Sequence, residues 1–320
     1  MMERLWRNLI LALALGVAVF VAITVFAGLE ELAAAAASFD YSLIPAILAL
    51  VSLSYVGRFV RWLYYLRLLG VSVPLGTNAA IFAAGLSMTV SPGKLGEVLK
   101  SVFVRQVSGD PVARTAPAVV AERVTDGTGM LVWGLLGALA FSFGPGLLIF
   151  FLLFTALGIA VLRSKRLSLL AERVLSGVPL LRRLVPHLHD FHASSNQLLA
   201  ARPLAVATGI SFLSWGLECT AVYLCSVAAG ADSPFLVVVF IFAISSIAGS
   251  LSMLPGGIGA AEAGLAVMFV TVAGLARGPA AALTFVIRLA TLWYATAIGV
   301  VGLLVVRALL GDREGVGATK

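Results

Sequence analysis

The chain has 320 residues, 61% of them hydrophobic and only 12% charged, with a mean hydropathy of +1.06. Soluble domains carry roughly 25% charged residues, so the composition excludes a water-soluble enzyme or nucleic-acid-binding domain and defines a helical polytopic membrane protein. The formal charge of +7 comes from basic residues spread over the connections between apolar stretches, where they report orientation.

Arg4 and Arg7 lead into an apolar stretch from Leu9 to Gly28. A cleaved signal peptide has an apolar core of about 7 to 15 residues; despite the alanine run Ala33–Ala37, an uncleaved first helix is expected. Ser42 to Leu66 follows as a full span. Ala79 to Val90 and Val98 to Val107 fall short of the about 20 residues that a spanning helix needs. Around the break PGKLGE at Pro92–Glu97 they are expected to form a re-entrant hairpin, two half-helices that enter and leave on one side. Pro117–Phe141 and Gly146–Leu162 come next. Residues 163–203 are the only sizeable extramembrane piece, with leucines alternating with arginines at near-helical spacing. They are expected to lie on the cytoplasmic leaflet as amphipathic helices. Their histidines, His187, His189 and His192, lack the carboxylate-histidine spacing of a metal site, and neither a metal nor any other cofactor is expected. Leu204–Gly230, Phe235–Leu254, Gly257–Leu275 and Pro279–Val306 complete the apolar stretches. Cys219 and Cys225 lie about 9 Å apart along one predicted helix, too far for a bridge.

Landmarks recur in order. PGKLGE is echoed by PGGIGAAE at Pro255–Glu262, and each follows a leucine-serine-methionine step, at Leu86 and at Leu251. The interval from Glu97 to Arg123 equals that from Glu262 to Arg288; upstream, Leu53-Ser54-Tyr55 precedes Arg58 as Leu213-Ser214-Trp215 precedes Glu218. An internal duplication follows, with repeat one at about 42–141 and repeat two at about 204–306. The positive-inside rule puts Arg67, Arg105, Arg114, the basic 163–203 segment and both termini in the cytoplasm. Glu30, Glu31, Asp40, Asp232 and Arg277 then lie outside. The first hairpin must return to the cytoplasm and the second, Phe235–Leu275, to the outside, which makes the repeats inverted. The second hairpin's apolar arms are long enough to span fully, and that alternative stays open. The expected fold is one all-α transmembrane domain over 1–320, an inverted repeat of helix, re-entrant hairpin and helix with additional transmembrane helices.

Ionisable groups within the apolar stretches or their breaks are Arg58, Arg61, Lys94, Glu97, Glu122, Arg123, Asp126, Glu218, Glu262 and Arg288. Each costs roughly 2.5–3.5 kcal/mol at a helix centre on insertion scales, so they are expected to face one another or a water-filled cavity. At each break a new helix begins near Gly96 or Gly259, with unpartnered N–H groups and the positive end of the dipole, the arrangement that binds phosphate. The candidate substrate-binding residues are therefore Arg58, Pro92, Gly93, Lys94, Gly96, Arg123, Pro255, Gly256, Gly257, Gly259 and Arg288. The candidates for coupling or gating are Glu97, Glu122, Asp126, Glu218 and Glu262, although Glu97 and Glu262 also suit simple helix-start carboxylates. The two breaks are expected to meet in one polar cavity, and Arg58 and Glu218 to approach each other.

PGKLGE, ERVTD at Glu122–Asp126, LPGGIGAAE at Leu254–Glu262, and Arg288 followed by Trp293 together resemble the flippase-like transmembrane region of bacterial lysylphosphatidylglycerol synthases and their stand-alone relatives. The similarity spans nearly the whole chain. It implies an inner-membrane protein, not an enzyme, that moves phospholipids or lipid-linked anionic headgroups between leaflets as a flippase or scramblase. The partners implied are membrane lipids and no nucleic acid, with a homo-oligomer left open. Full-length synthases also carry a cytosolic aminoacyl-transferase domain; this chain stops before one could start, so translocation is expected and not lipid aminoacylation. Two other classes remain. One is an intramembrane enzyme modifying lipid headgroups, for which Ser91-x-x-Lys94 matches a nucleophile pattern without its partner motifs. The other is an accessory or regulatory subunit acting through the basic 163–203 segment.

Overall fold

The computed structural model describes residues 2–91, 96–139 and 185–317, with only Leu153, Leu157, Ala160 and Ser164 between 140 and 184. Pro92, Gly93 and Lys94, the rest of the Gly146–Leu162 stretch and residues 165–184 lie outside the described residues. The protein is an all-α polytopic membrane protein, with no strand among the described residues.

The first helix, α1 (Met2–Ala27), ends at Gly28 and turns through 98° into α2 (Leu29–Ala37). Asp40 accepts hydrogen bonds from the Ser42 hydroxyl and amide, which hold its carboxyl below the usual range, and so starts a 3-10 turn into α3 (Ile44–Leu68). α3 ends at Gly70 (φ 68°), where Arg114 Nη2 donates to the Leu69 carbonyl at 2.5 Å, a cation on the negative end of the helix. Pro74 opens α4 (Leu75–Leu86), which runs into a 3-10 turn, Ser87–Val90. α5 (Leu99–Ser108) and α6 (Val112–Ala138) complete the first half. After α7 (Val185–Leu198), the second half repeats the order: α8 (Ala201–Ala228), α9 (Phe235–Leu251) opened by Pro234, the 3-10 turn Pro255–Gly257, and α10 (Ala260–Thr271). Its closing helix runs from α11 (Arg277–Arg288) through a π turn, Leu289–Trp293, into α12 (Tyr294–Gly317).

Among the described residues, Tyr41–Leu68, Ala201–Ala228 and Arg277–Leu310 are long and apolar enough to cross a membrane; the bent α1–α2 pair adds a fourth span if it crosses as one. α6 has 27 residues, about 40 Å of helix, but carries Glu122, Arg123 and Asp126 in its interior. The hairpin arms α4, α5, α9 and α10 have 12, 10, 17 and 12 residues, all short of the about 20 needed to span. The second hairpin's arms are shorter than their apolar sequence because the backbone leaves the helix at its break. Gly256, Gly257 and Gly259 have φ of 60°, 65° and 95° there, where a Cβ is disfavoured.

Each hairpin packs against the closing helix of the other half: α4 on α12, α9 on α6. Small residues permit the approach. Gly134 and Gly137 of α6 meet Ala243, Leu236 and Phe240, while Gly299 and Gly302 of α12 meet Ser87 and Ala84. Between the halves α3 lies along α8, with Gly57 against Ser214, and the turn at Ser87–Val90 touches the turn at Pro255–Gly257. Val90, Ile258 and Leu292 form a small apolar cluster at that meeting, backed by Val19 of α1. α7, the described end of the 163–203 segment, packs against α6, burying Leu198.

Candidate functional site

A cavity of about 500 Å³ opens where the halves meet. α3 contributes Tyr55 and Arg58, α6 contributes Arg123 and Asp126, α8 contributes Trp215 and Glu218, and the second break and closing helix contribute Gly256, Gly257 and Arg288. The remaining wall is mostly apolar, with Thr89, Ser246 and Ser250 adding hydroxyls.

Each cavity arginine is held by a carboxylate. Arg58 pairs with Glu218 across the α3–α8 contact, its guanidinium 4.3 Å from the centre of the Trp215 ring, and the Ser54 hydroxyl donates to the same carboxylate at 3.3 Å. Arg123 reaches Glu97 at 3.1 Å and Asp126 at 3.0 Å. Arg288 donates to Glu262 at 2.7 Å and to the Gly256 carbonyl at 2.9 Å, so one side chain ties the closing helix to the break and to the arm that follows it. Glu262 also accepts the Gly259 amide at 2.7 Å, filling with the protein's own carboxylate one of the N–H groups left free at the start of α10. At the first hairpin the Gly96 amide donates to Ser91 Oγ at 2.9 Å.

Behind the cavity lies a second layer of charge, confined to the first half. Arg61 donates to Asp126 at 2.6 Å and to the Thr125 hydroxyl at 3.1 Å, and the Ser211 hydroxyl donates to Asp126 at 3.1 Å. Lys100 lies 2.5 Å from Glu122, 3.9 Å from Glu97 and 4.6 Å from the centre of the Trp62 ring. In the pairs that hold the cavity arginines, the carboxylates sit deeper than the guanidiniums. The Arg123 side chain is 32% exposed and that of Arg58 15%, against 7% for Asp126 and Glu218 and 5% for Glu97. Arg58 Nε and Arg123 Nε are buried without an acceptor.

Of the residues singled out from sequence, Arg58, Arg123, Asp126, Glu218, Gly256, Gly257 and Arg288 line the cavity; Gly96, Glu97, Glu122, Pro255, Gly259 and Glu262 are not on its wall. Pro92, Gly93 and Lys94 lie outside the described residues. Sequence reasoning missed Lys100, although a lysine one helical turn after Glu97 is a legible signal, and it assigned no role to Arg61. Tyr55 and Trp215 served it only as landmarks of the repeat. The Tyr55 hydroxyl donates to the Thr291 carbonyl at 2.8 Å, within the π turn, a feature that recurs at functional sites.

An all-helical chain whose short helices meet at an internal cavity lined by paired charges belongs to the class of polytopic membrane proteins with ionisable groups in their interior. Residues 10–299 match the family described as lysylphosphatidylglycerol synthase TM region, and the chain belongs to that family. It is similar to a UPF0104 membrane protein of Methanothermobacter thermautotrophicus, with 37% identity over 120 residues covering 37% of this chain and 35% of that protein's length. It also resembles the UPF0104 membrane protein PH1989 of Pyrococcus horikoshii, 24% identical over 327 aligned positions, 93% of this chain and 96% of that one.

Proposed function

We propose that the protein is a lipid transporter that moves a phospholipid, or a lipid-linked phosphate-bearing headgroup, between the leaflets of the inner membrane, and not an enzyme. The observation that carries this reading is the cavity of about 500 Å³, bounded by both halves, with three arginines on an otherwise largely apolar wall. A polar head can sit among Arg58, Arg123 and Arg288 while its acyl chains stay in hydrocarbon. The short arms and broken backbone at the hairpins fit the rule that irregular backbone in a bilayer lines a cavity. In this reading the two halves are inverted, both termini are cytoplasmic, and Asp126 and Glu218, the carboxylates on the cavity wall, exchange partners with the incoming head. Glu97 and Glu262 keep Arg123 and Arg288 oriented from behind, and Glu122 holds Lys100.

The test is movement of a fluorescent phospholipid in vesicles carrying the purified protein, read by quenching the outer leaflet. Faster exchange than in protein-free vesicles is expected. Because guanidinium binds phosphate in a planar, bidentate way that an ammonium cannot copy, Arg123→Lys and Arg288→Lys are expected to slow it about ten-fold. Exchange no faster than in protein-free vesicles overturns the reading.

A further inference from the structure

The charges of the described core balance. Arg58, Arg61, Lys100, Arg123 and Arg288 face Glu97, Glu122, Asp126, Glu218 and Glu262, and every member is in an ion pair. Among the described residues no cavity arginine waits for a counterion. Against that balanced set, a head with net negative charge brings an uncompensated charge into a low-dielectric site, which is costly. A head with equal positive and negative charge does not.

We infer, resting on the transport reading, that the preferred cargo is a zwitterionic phospholipid, whose phosphate is matched by an ammonium in the same head. The wall offers both signs side by side. The phosphate meets Arg123, the most exposed of the cavity guanidiniums, with Arg58 next in exposure. The ammonium meets the edges of Asp126 and Glu218 and the rings of Tyr55 and Trp215, all on the cavity wall. Arg58 already lies over the Trp215 ring and against Glu218, so an ammonium of the cargo can take that place as Arg58 turns to the phosphate. Glu218 and Arg58 then each keep a partner of opposite charge.

The experiment compares two lipids with the same labelled chains, a phosphatidylethanolamine and a phosphatidylglycerol, in vesicles carrying the full chain. Wild type is expected to move the zwitterionic lipid about ten-fold faster than the anionic one. Asp126→Asn and Glu218→Gln each leave the site one positive charge in excess and are expected to shift the preference toward phosphatidylglycerol; Arg58→Gln shifts it away. Water-soluble glycerophosphoethanolamine trapped in the vesicles, the same head without chains, is expected to stay inside. Equal rates for the two lipids in wild type, or faster movement of the anionic one, overturn the inference while leaving transport intact, as does a preference that does not follow the charge of the variants. Escape of the trapped head in place of lipid movement overturns the lipid as cargo. If neither lipid moves faster than without protein, the transport reading itself fails and the inference falls with it.

Discussion

The two halves share one device and differ in what surrounds it. In both, a glutamate at the start of a hairpin's second arm binds an arginine on the next helix, Glu97 with Arg123 at 3.1 Å and Glu262 with Arg288 at 2.7 Å. In the first half that pair is embedded in further charge, from Arg61, Lys100, Glu122 and Asp126. The matching positions of the second half hold Ala221, Leu265, Ile287 and Thr291, and of these Ala221, Leu265 and Ile287 are almost fully buried. The shared pair is thus what holds a hairpin to its neighbour. The surrounding network belongs to one half, since the other fills three of the four matching places with apolar side chains and the fourth with a threonine.

The largest effect is expected where the halves touch. Arg58→Glu sets two carboxylates against each other in a buried site and should cost at least the roughly 3–5 kcal/mol of a broken buried pair. Thermal unfolding in detergent checks it, and adding Glu218→Arg should recover much of the loss. A double variant no more stable than the singles breaks the comparison at its centre.

Next come the matched glutamates. Glu262→Gln leaves Arg288 without a carboxylate, with only neutral amide and carbonyl oxygens as acceptors, and should cost about 3–4 kcal/mol. Glu97→Gln leaves Arg123 on Asp126 and Lys100 on Glu122, so about 1–2 kcal/mol is expected. Equal losses would mean that the first half's network gives no redundancy.

Converting the first half toward the second sharpens the contrast. Lys100→Leu alone strands Glu122 and should cost about 3 kcal/mol, whereas Lys100→Leu with Glu122→Ile should be nearly neutral, as exchange of a buried pair for well-packed apolar residues often is. Lipid movement by the stable double variant then tells whether the network serves transport: a fall assigns it a role, and an unchanged rate leaves it structural.

Much of this was legible in the sequence because membrane burial makes polar residues conspicuous. Arg58 and Glu218 are costly alone in hydrocarbon, and their matched positions after Ser54 and Ser214 pointed to each other; the structure pairs them. The equal spacing of Glu97–Arg123 and Glu262–Arg288 signalled a duplicated contact, but sequence alone could not say that the arginines turn to their own carboxylates. A free helix start and a capped one look alike until the side-chain path of Glu262 is seen. Lys100 escaped notice because a short apolar arm hid it. The matched pairs Gly134–Gly137 and Gly299–Gly302 also escaped, since glycine is common in membrane helices and only the close packing of helix on helix marks these positions.

Those glycines give the smallest and most local test. A Cβ on Gly299 meets the Ser87 backbone nitrogen at 2.0 Å and its Cα at 2.5 Å, so the end of α4 has to move as a unit. A Cβ on Gly134 meets only the Ala243 Cβ at 3.2 Å, which a shift of a few tenths of an ångström relieves. Gly299→Ala is therefore expected to cost about 1–3 kcal/mol and Gly134→Ala less than about 1 kcal/mol, read as thermal unfolding in detergent. The end of α4 also carries Leu86 and leads to Thr89 on the cavity wall. Hence Gly299→Ala should slow lipid movement as well as lower stability, while Gly134→Ala should leave movement near wild type. If the two variants lose equally on both measures, the tighter seat of α4 on α12 is not a difference that matters, and the halves differ functionally only in their buried charge.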